Sequence, residues 1–363
     1  MATRALAFIA FATVVFVGAS ATATMLYTIT DLGTLGGPMS AAFGLNEQGQ
    51  VVGVSDTGAT DPNGYAVWSA FLWEGGAMTD LGALGGWYSS ARDINSSGCV
   101  VGSAALATGQ VRAFLWQEGT MTELATLGGP TSVAEAVNDL GQAVGTSTNA
   151  TNTQSFAVLW ENGSITELGS LGPGNSHAND INIHGHVVGY SDTQASGNHA
   201  CLWHDGVITD LGTLGGYDST ANGINDAGLA VGGSETLQDG YRAFLWDAGV
   251  MTDLGTLGGD YSDAEAINNL GQVVGVTSNA ADGMRPFLWE HGVMTDLNDL
   301  VIGSAGWSLG RPRDINDRGQ IVGLGSINGE AHAYLLTPIP EPSVLALISL
   351  GVLGLVATAR RRG

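Results

Sequence analysis

Seven carboxylates recur at one position of a repeated Thr-Asp-Leu or Thr-Glu-Leu segment, and they are the most regular polar feature of the sequence. They are Asp31, Asp80, Glu123, Glu167, Asp210, Asp253 and Asp296. Ca²⁺ prefers several oxygen ligands, so calcium binding is one interpretation. Equivalent positions on separate strands lie far apart, however, and the tandem Gly-Gly-x-Gly-x-Asp calcium repeat is missing from the sequence. We therefore expect these acids to accept hydrogen bonds within their own repeat and to shape the Gly-rich segment that follows.

Histidines are concentrated in one stretch of the chain. They are His177, His184, His186, His199 and His204. Imidazoles two residues apart on a strand, such as His184 and His186, are able to share a metal ion. No Cys or carboxylate pattern completes a ligand set around them. The favoured interpretation is therefore that these histidines are surface residues that have drifted in sequence and bind no metal. The sequence predicts no metal site and no cofactor.

Nucleophile motifs do not support an enzyme. No Gly-x-Ser-x-Gly elbow has a convincing Asp and His, and His-Glu-x-x-His does not occur. Cys99 and Cys201 occupy different positions of the repeat, which predicts two free thiols. One position of the repeat holds Arg, Glu or Asn in different copies, two residues before an apolar residue that is followed by Asn. At this mixed polar position the side chains either bind a ligand or pair with one another, and pairing is the favoured interpretation. Its members are Arg92, Glu135, Asn179, Asn222, Glu265 and Arg313.

Aromatic residues mark the variable and Gly-rich segments between the repeated motifs. They are Tyr65, Trp68, Trp87, Tyr88, Tyr217, Tyr261 and Trp307. Aromatic rings among Asp and Asn side chains suit stacking on sugars or contact with a protein. Packing of these segments onto the strands below them is an equally open interpretation.

All of these positions belong to a repeat of 43 to 49 residues that occurs seven times. Every copy contains an apolar-Asn pair, a Gly three residues later, and an Ala-Phe-Leu-Trp segment or a variant of it. The Asn residues are Asn46, Asn95, Asn138, Asn182, Asn225, Asn268 and Asn316. Asn-x-x-Gly is typical of a tight turn, because Asn caps the turn and Gly accepts a positive φ. Four short antiparallel strands per copy are typical of a propeller blade.

The phase of the repeats predicts how the two ends of the body meet. The final copy stops at residues 333–336 and lacks its own Thr-Asp-Leu strand, whereas an orphan strand of this type stands at residues 27–32. Pairing the two removes exposed sheet edges. The sequence thus predicts an all-β fold for residues 24–337: a seven-bladed β-propeller of four-stranded antiparallel blades, closed by the N-terminal strand in the last blade. The apolar-Asn strands are expected innermost, with the Gly-rich and variable segments on one face (the loop face) and the Asn turns on the opposite one (the turn face).

Composition limits the partners. The chain of 363 residues has a net charge of −23 and contains no Lys, which excludes nucleic-acid binding through clustered cations. Its 56 glycines agree with many tight turns. With 44% hydrophobic residues, intrinsic disorder is excluded as well.

The two ends are predicted to be targeting segments. Residues 1–23 combine Arg4, a short apolar run and small residues, which predicts a signal peptide for the Sec machinery. Residues 338–363 contain an apolar run that is just long enough for a transmembrane helix, followed by a basic tail. The motif residues are Pro340, Glu341, Pro342, Arg360, Arg361 and Arg362. An ordinary tail anchor is the alternative interpretation.

The C-terminal order of motif, helix and basic tail resembles the PEP-CTERM sorting signal. This resemblance implies an exosortase-type sorting enzyme as partner, transient anchoring in the membrane, and later release to the surface or extracellular matrix of a Gram-negative bacterium. The repeated motifs, Thr-Asp-Leu-Gly-Thr-Leu-Gly-Gly, Ile-Asn-Asp-x-Gly-Gln-Val-Val-Gly and Ala-Phe-Leu-Trp, resemble the HAF family of extracellular repeats over nearly the whole mature chain. That family implies no catalytic residues.

We therefore expect an exported, non-enzymatic binding or matrix protein associated with the cell surface or with exopolysaccharide. Glycans or surface proteins are the expected ligands, at the loop face. The alternative is a propeller enzyme acting on extracellular polysaccharide, a lyase or a hydrolase, because propellers often place such sites at their axis.

Overall fold

A computed structural model describes residues 25–195, 197–238, 240–280 and 283–340 of the chain. Within these ranges the protein is nearly all β, and a single 3₁₀ turn, Leu297–Asp299, is the only helical element. The prediction of an all-β protein without regular helices in its body is thus confirmed. The predicted signal peptide (1–23) lies outside the described residues. Of the predicted C-terminal sorting segment (338–363), only residues 338–340 are described.

The strands form seven units of four. Unit 1 comprises β2 (Ser40–Leu45), β3 (Val51–Thr60), β4 (Ala66–Glu74) and β5 (Ala77–Asp80). Unit 2 comprises β6 (Gly85–Ile94), β7 (Val100–Leu106), β8 (Val111–Gln117) and β9 (Thr120–Glu123). Unit 3 comprises β10 (Gly128–Val137), β11 (Ala143–Asn149), β12 (Ser155–Glu161) and β13 (Ser164–Glu167). Unit 4 comprises β14 (Ser176–Ile181), β15 (Val187–Asp192), β16 (Asn198–His204) and β17 (Val207–Gly212).

The remaining units follow the same plan. Unit 5 comprises β18 (Gly215–Ile224), β19 (Ala230–Thr236), β20 (Tyr241–Asp247) and β21 (Val250–Asp253). Unit 6 comprises β22 (Gly258–Ile267), β23 (Val273–Asn279), β24 (Gly283–Glu290) and β25 (Val293–Asp296). Unit 7 comprises β27 (Trp307–Ile315), β28 (Ile321–Ile327), β29 (Glu330–Pro338) and the N-terminal β1 (Tyr27–Asp31), with the short β26 (Val301–Ile302) beside β1.

Consecutive strands within each unit pair antiparallel, and none of the five hydrogen-bonded sheets closes on itself. Single parallel pairs, Trp68 with Tyr88 and Tyr241 with Tyr261, join units 1 and 2 and units 5 and 6 into larger sheets. The other three sheets hold one unit each, with β26 added to unit 7.

The repeated motifs fold locally as their chemistry predicts. In unit 1 the Gly49 N–H donates to the Asn46 carbonyl at 3.1 Å, and Gly49 has a φ of 81°. The Asn46 side-chain oxygen accepts from the backbone N–H groups of Gln48 and Gln50, so the turn is capped from inside. Between the third and fourth strands of unit 3, Asn162 and Gly163 both take positive φ, 51° and 76°, as a two-residue type I′ hairpin requires.

The N-terminal strand lies in the last unit. Strand β1 pairs antiparallel with β29, placing Tyr27 opposite Pro338 and Asp31 opposite Tyr334. The Leu32 N–H then donates to the Ala333 carbonyl at 3.1 Å. This is the pairing that the phase of the repeats predicts.

Apolar side chains fill the interfaces between successive units. Seven separate clusters of buried residues lie at these interfaces, and each draws on two neighbouring units. One of them joins Leu45 and Phe71 of unit 1 to Val322 and Leu335 of unit 7. A Phe that is fully buried in this way stabilises the fold by roughly 1.5–3 kcal/mol. Packing between units is therefore the main source of stability.

The first strands of the units also contact one another in succession, and β27 of unit 7 lies beside β2 of unit 1. They surround a central space. At its turn face each repeated Asn donates its side-chain amide to the backbone carbonyl of the repeated Asn in the next unit, at 2.9–3.1 Å. The seventh of these hydrogen bonds returns to Asn46.

Candidate functional site

Four of the predicted ligand-binding residues are exposed at the loop face. The exposed fractions are 73% for Tyr65, 56% for Trp87, 38% for Tyr88 and 73% for Tyr217. These four are the only aromatic residues within the described ranges that are exposed to this degree. On the turn face the large exposed side chains are aliphatic, such as Leu140 and Leu270. Aliphatic side chains are exposed on the loop face too, Leu237 at 81%, so the two faces differ in their exposed Tyr and Trp rings.

The other three predicted residues are half-buried. Trp68 lies opposite Tyr88 in the pair that joins units 1 and 2, so it extends the aromatic patch there. Tyr261 stacks on Tyr241, with ring centroids 5.5 Å apart and planes 14° apart. Trp307 meets Tyr334 edge to face and packs against the hydrophobic cluster between units 6 and 7. The structure thus brings these residues to two separate patches, and Trp307 serves packing.

A groove of about 630 Å³ opens beside Tyr217 in unit 5. Its lining residues are Gly215, Gly216, Tyr217, Glu235, Thr236, Leu237, Gly240 and Tyr241. The Glu235 carboxylate accepts the Tyr217 N–H at 3.1 Å, which fixes the segment that carries the exposed ring. A Cβ on Gly216 would collide with Glu235, so a glycine is required for the close approach of these two strands.

On the turn face, a second cavity of about 400 Å³ opens at the central space. Its rim is formed by the repeated Asn residues and by the residue that follows each of them. These following residues are Glu47, Ser96, Asp139, Ile183, Asp226, Asn269 and Asp317. The cavity is therefore polar and acidic. The acids that follow four of the repeated Asn residues stand at equivalent positions in the sequence, but their gathering around one cavity was not predicted.

Most of these rim acids are engaged between units. The Ser96 N–H donates to Asp139 at 2.8 Å, and the Asp317 N–H donates to Glu47 at 2.7 Å. Asn269 donates its side-chain amide to both Asp226 and Asp317, at 3.0 Å each. Within the described residues no group of three His, Cys, Asp or Glu side chains is arranged to hold a metal ion. The rim thus adds hydrogen bonds between several pairs of neighbouring units.

The mixed polar position lies on the inner strands, where its charges pair with one another. Arg313 contacts Glu265 at 3.1 Å, and Arg92 lies 3.6 Å from Glu135. The guanidinium groups of both Arg residues stand over the ring of Phe43, at 5.0 Å for Arg92 and 5.7 Å for Arg313. Internal pairing, the interpretation that the sequence favours, is what the contacts show.

Three further acids on the inner strands line the central space: Asp93, Asp180 and Asp314. Each accepts the backbone N–H of the next residue in its own strand and an N–H from the following unit, as Asp314 does from Ile315 and Leu45. Burial is the first cause that raises their pKa values, to about 6 for Asp93, 7 for Asp180 and 8 for Asp314. Like charge also raises these pKa values, from Asp139 at Asp93 and from Asp93 at both Asp180 and Asp314. Both oxygens of each are committed to the backbone, so they link units.

The repeated acids of the Thr-Asp-Leu strands shape the next turn. Asp31, Asp80, Asp210 and Asp253 each accept the N–H of the Gly two residues later, at 2.7–2.9 Å. Several also contact a His or Arg side chain of the neighbouring strand: His332 lies 2.9 Å from Asp31, and Arg112 lies 3.0 Å from Glu123. The predicted structural role is confirmed for these acids.

Both cysteines are free and buried, as predicted. Burial raises the pKa of the Cys99 thiol to about 11 and also raises that of Cys201. Neither thiol is therefore a reactive nucleophile in the folded chain.

Comparison with known proteins adds one decisive match. The family described as the PEP-CTERM protein-sorting motif matches residues 338–362. The motif is the substrate signal of exosortase and marks an exported protein that is sorted to the cell surface. This chain carries that signal. No curated protein matches the chain, and no helix within the described residues is long and apolar enough to cross a membrane.

Three solved structures are similar to the chain in shape. Acylaminoacyl peptidase from Pyrococcus horikoshii has a TM-score of 0.49 at 10% identity, covering 85% of this chain and 53% of the peptidase. TolB from Acinetobacter baumannii has a TM-score of 0.42 at 10% identity, covering 83% of this chain and 64% of TolB. AofleA from Arthrobotrys oligospora has a TM-score of 0.39 at 10% identity, covering 75% of this chain and 88% of AofleA. The chain thus spans less than two thirds of the first two.

Proposed function

We propose that this chain is a non-enzymatic binding protein of the cell surface or of exopolysaccharide, built as a closed seven-bladed β-propeller that binds glycans at its loop face. The propeller is supported by the seven interface clusters and by the cycle of Asn hydrogen bonds that returns to Asn46. The likeness of the repeats to the extracellular HAF repeats and the sorting motif at 338–362 support the surface location.

The observation that carries the binding proposal is the confinement of the exposed Tyr and Trp rings to the loop face. Tyr65, Trp87, Tyr88 and Tyr217 expose their rings at the loop face, while the described turn face exposes aliphatic side chains. A protein ordinarily buries large aromatic rings, and their exposure in one region marks a contact surface. Sugar rings stack on aromatic faces through their C–H groups, and their hydroxyl groups pair with neighbouring polar groups.

The groove beside Tyr217 supplies such polar groups. Glu235 and Thr236 lie in its wall, together with the exposed ring of Tyr217. A volume of about 630 Å³ falls within the range of pockets that hold small ligands. The groove therefore accommodates one or two sugar units beneath the exposed ring.

The contacts of the inner acids favour binding without catalysis. Asp93, Asp180 and Asp314 give both carboxylate oxygens to backbone N–H groups, so none is free to act as a general acid or base. The rival proposal, a polysaccharide lyase or hydrolase, requires a free pair of acid and base groups at a ligand site.

A glycan array probed with the full-length protein tests the proposal. We expect binding to a subset of extracellular polysaccharide fragments, which Tyr217→Ala and Trp87→Ala weaken at their respective patches. Leu270→Ala, which removes an exposed side chain from the turn face, serves as the matched control and leaves binding unchanged. Absence of binding to every glycan on the array would overturn the glycan proposal. Release of shortened or unsaturated sugars from bound fragments would establish the enzyme instead.

A further inference from the structure

Three of the seven histidines lie together at the turn face of unit 4. The ring centroids of His186 and His204 are 4.1 Å apart, and those of His184 and His186 are 6.3 Å apart. His184 belongs to the turn that follows β14, whereas His204 ends β16, so the cluster joins two elements of the unit. The antiparallel pairing of β15 with β16 brings His184 and His204 to the same end of unit 4, although they are 20 residues apart in the sequence.

Other units place a different pair at these two positions. In unit 3 the Gln142 side-chain amide donates to Glu161 at 2.8 Å, and in unit 6 Gln272 donates to Glu290 at 2.9 Å. The strands of unit 4 keep the same register, with Val187 opposite Trp203. The two imidazoles of unit 4 therefore replace the amide–carboxylate pair of units 3 and 6. His186 keeps one contact of the Gln that it replaces, since its Nδ1 lies 3.3 Å from the Asn182 side-chain amide. His204 takes the place of the carboxylate.

We propose that His186 and His204, joined by the neighbouring His184, bind one divalent transition-metal ion of the Zn²⁺, Cu²⁺ or Ni²⁺ type at the turn face. Imidazole is a preferred ligand of these borderline metals. A metal–nitrogen bond of about 2.0–2.1 Å and a tetrahedral angle place the centroids of two coordinating rings about 5 Å apart. The observed separations of 4.1 and 6.3 Å lie on either side of that value.

The site requires the rings of His184 and His204 to rotate. As the side chains stand, no three potential ligands in the described ranges surround a common point. His184 is exposed and the His204 side chain is 40% exposed, so both are free to turn toward His186. A cavity of about 540 Å³ borders His184 and His204 and gives water ligands access to the metal.

The rings of the cluster contact one another, with the centroids of His186 and His204 4.1 Å apart. Other histidines are engaged differently: His199 lies 2.9 Å from Asp210, and His332 lies 2.9 Å from Asp31. In the cluster the nearest acid is Asp205, 3.8 Å from His204 and itself 86% exposed.

Metal titration of the untagged full-length protein tests this inference. We expect one saturable equivalent of Zn²⁺, Cu²⁺ or Ni²⁺ by calorimetry, and nitrogen coupling in the electron paramagnetic resonance spectrum of the Cu²⁺ form. The double variant His186→Gln/His204→Glu installs the pair of units 3 and 6 and should lose that equivalent while keeping its unfolding midpoint. His199→Arg, which installs the residue that units 2 and 5 carry there, is the matched control and retains binding.

Titration with Mg²⁺ measures what the acidic surface binds without imidazole. If transition metals bind no more tightly than Mg²⁺, or if the double variant keeps the saturable equivalent, the inference is wrong. Should the double variant fail to fold, His204→Ala alone changes a partly exposed residue and must weaken the same binding step.

Discussion

The side-chain amide of Asn316 donates a hydrogen bond to the backbone carbonyl of Asn46, 3.1 Å away and 270 residues distant in sequence. The same amide donates to the Gln320 side-chain oxygen at 2.9 Å. The Asn316 side-chain oxygen accepts from the backbone N–H groups of Arg318 and Gln320. A single buried side chain thus caps its own turn and ties the last unit to the first.

Asn316→Ala removes this link. We expect the free energy of unfolding to fall by about 1–3 kcal/mol, because buried backbone groups of both turns lose their partners. Urea denaturation followed by tryptophan fluorescence measures the change. Asn182→Ala, which cuts the equivalent bond between units 4 and 5, should cost a similar amount, and the exposed Asn63→Ala little. A normal midpoint for Asn316→Ala beside a large loss for Asn182→Ala would show that the first and last units are not joined.

Strand β1 is predicted to be essential to unit 7. Tyr27 is fully buried in the cluster between units 6 and 7, so Tyr27→Ala should lower the free energy of unfolding by about 3–5 kcal/mol, the range for large aromatic residues. The Tyr27 hydroxyl is buried and has no hydrogen-bond partner within the described residues. Tyr27→Phe should therefore be neutral or stabilising in the same urea assay. Equal losses for the two variants would contradict this account.

Stability is predicted to decrease as pH rises from about 4 to about 8. Asp93, Asp180 and Asp314 have folded-state pKa values of about 6, 7 and 8, above the value of about 3.9 in an unfolded chain. The folded state binds these protons more strongly, so their contribution is fully present below about pH 4 and is lost through pH 6–8. Urea midpoints across this range measure the slope. A variant with all three residues changed to Asn should show a flatter slope, and an unchanged slope would exclude these groups as its origin.

The thiols of Cys99 and Cys201 are predicted to be unreactive in the folded protein. Both are buried, in units 2 and 4, and burial raises the pKa of Cys99 to about 11. Ellman's reagent should therefore modify neither thiol under native conditions and both in urea. Rapid modification of the native chain would show that one of these units opens.

Deletion of residues 340–363 is predicted to abolish retention at the envelope, because this removes most of the matched sorting motif. Fractionation of cells that express the truncated chain measures its location. Changing Arg360, Arg361 and Arg362 to Ala leaves the Pro-Glu-Pro residues intact and separates the basic tail from the motif. Unchanged retention of the truncated chain would contradict sorting by this segment.

The sequence by itself determined the unit and its count. Asn-x-x-Gly and the Ala-Phe-Leu-Trp and Thr-Asp-Leu segments act over a few residues, so they fix turns and strands wherever they occur. The missing last strand of the final copy and the extra strand at 27–32 were equally visible, and they sufficed to predict that β1 pairs with β29. The free thiols and the structural role of the repeated acids followed from position within the repeat.

Only the tertiary structure decided how side chains from different units meet. The placement of Arg92 and Arg313 over Phe43 and the acidic cavity at the turn face depend on the spacing and tilt of strands from different units. The contact of His186 with His204 lies within unit 4 and depends on the pairing of its strands. Trp87 and Trp307 belong to similar segments of the repeat, yet Trp87 is exposed and Trp307 packs against a hydrophobic cluster. This difference also comes from the tertiary structure. Local motifs specify backbone conformation, whereas exposure and contact between units depend on packing against neighbours that lie 40 or more residues away in the sequence.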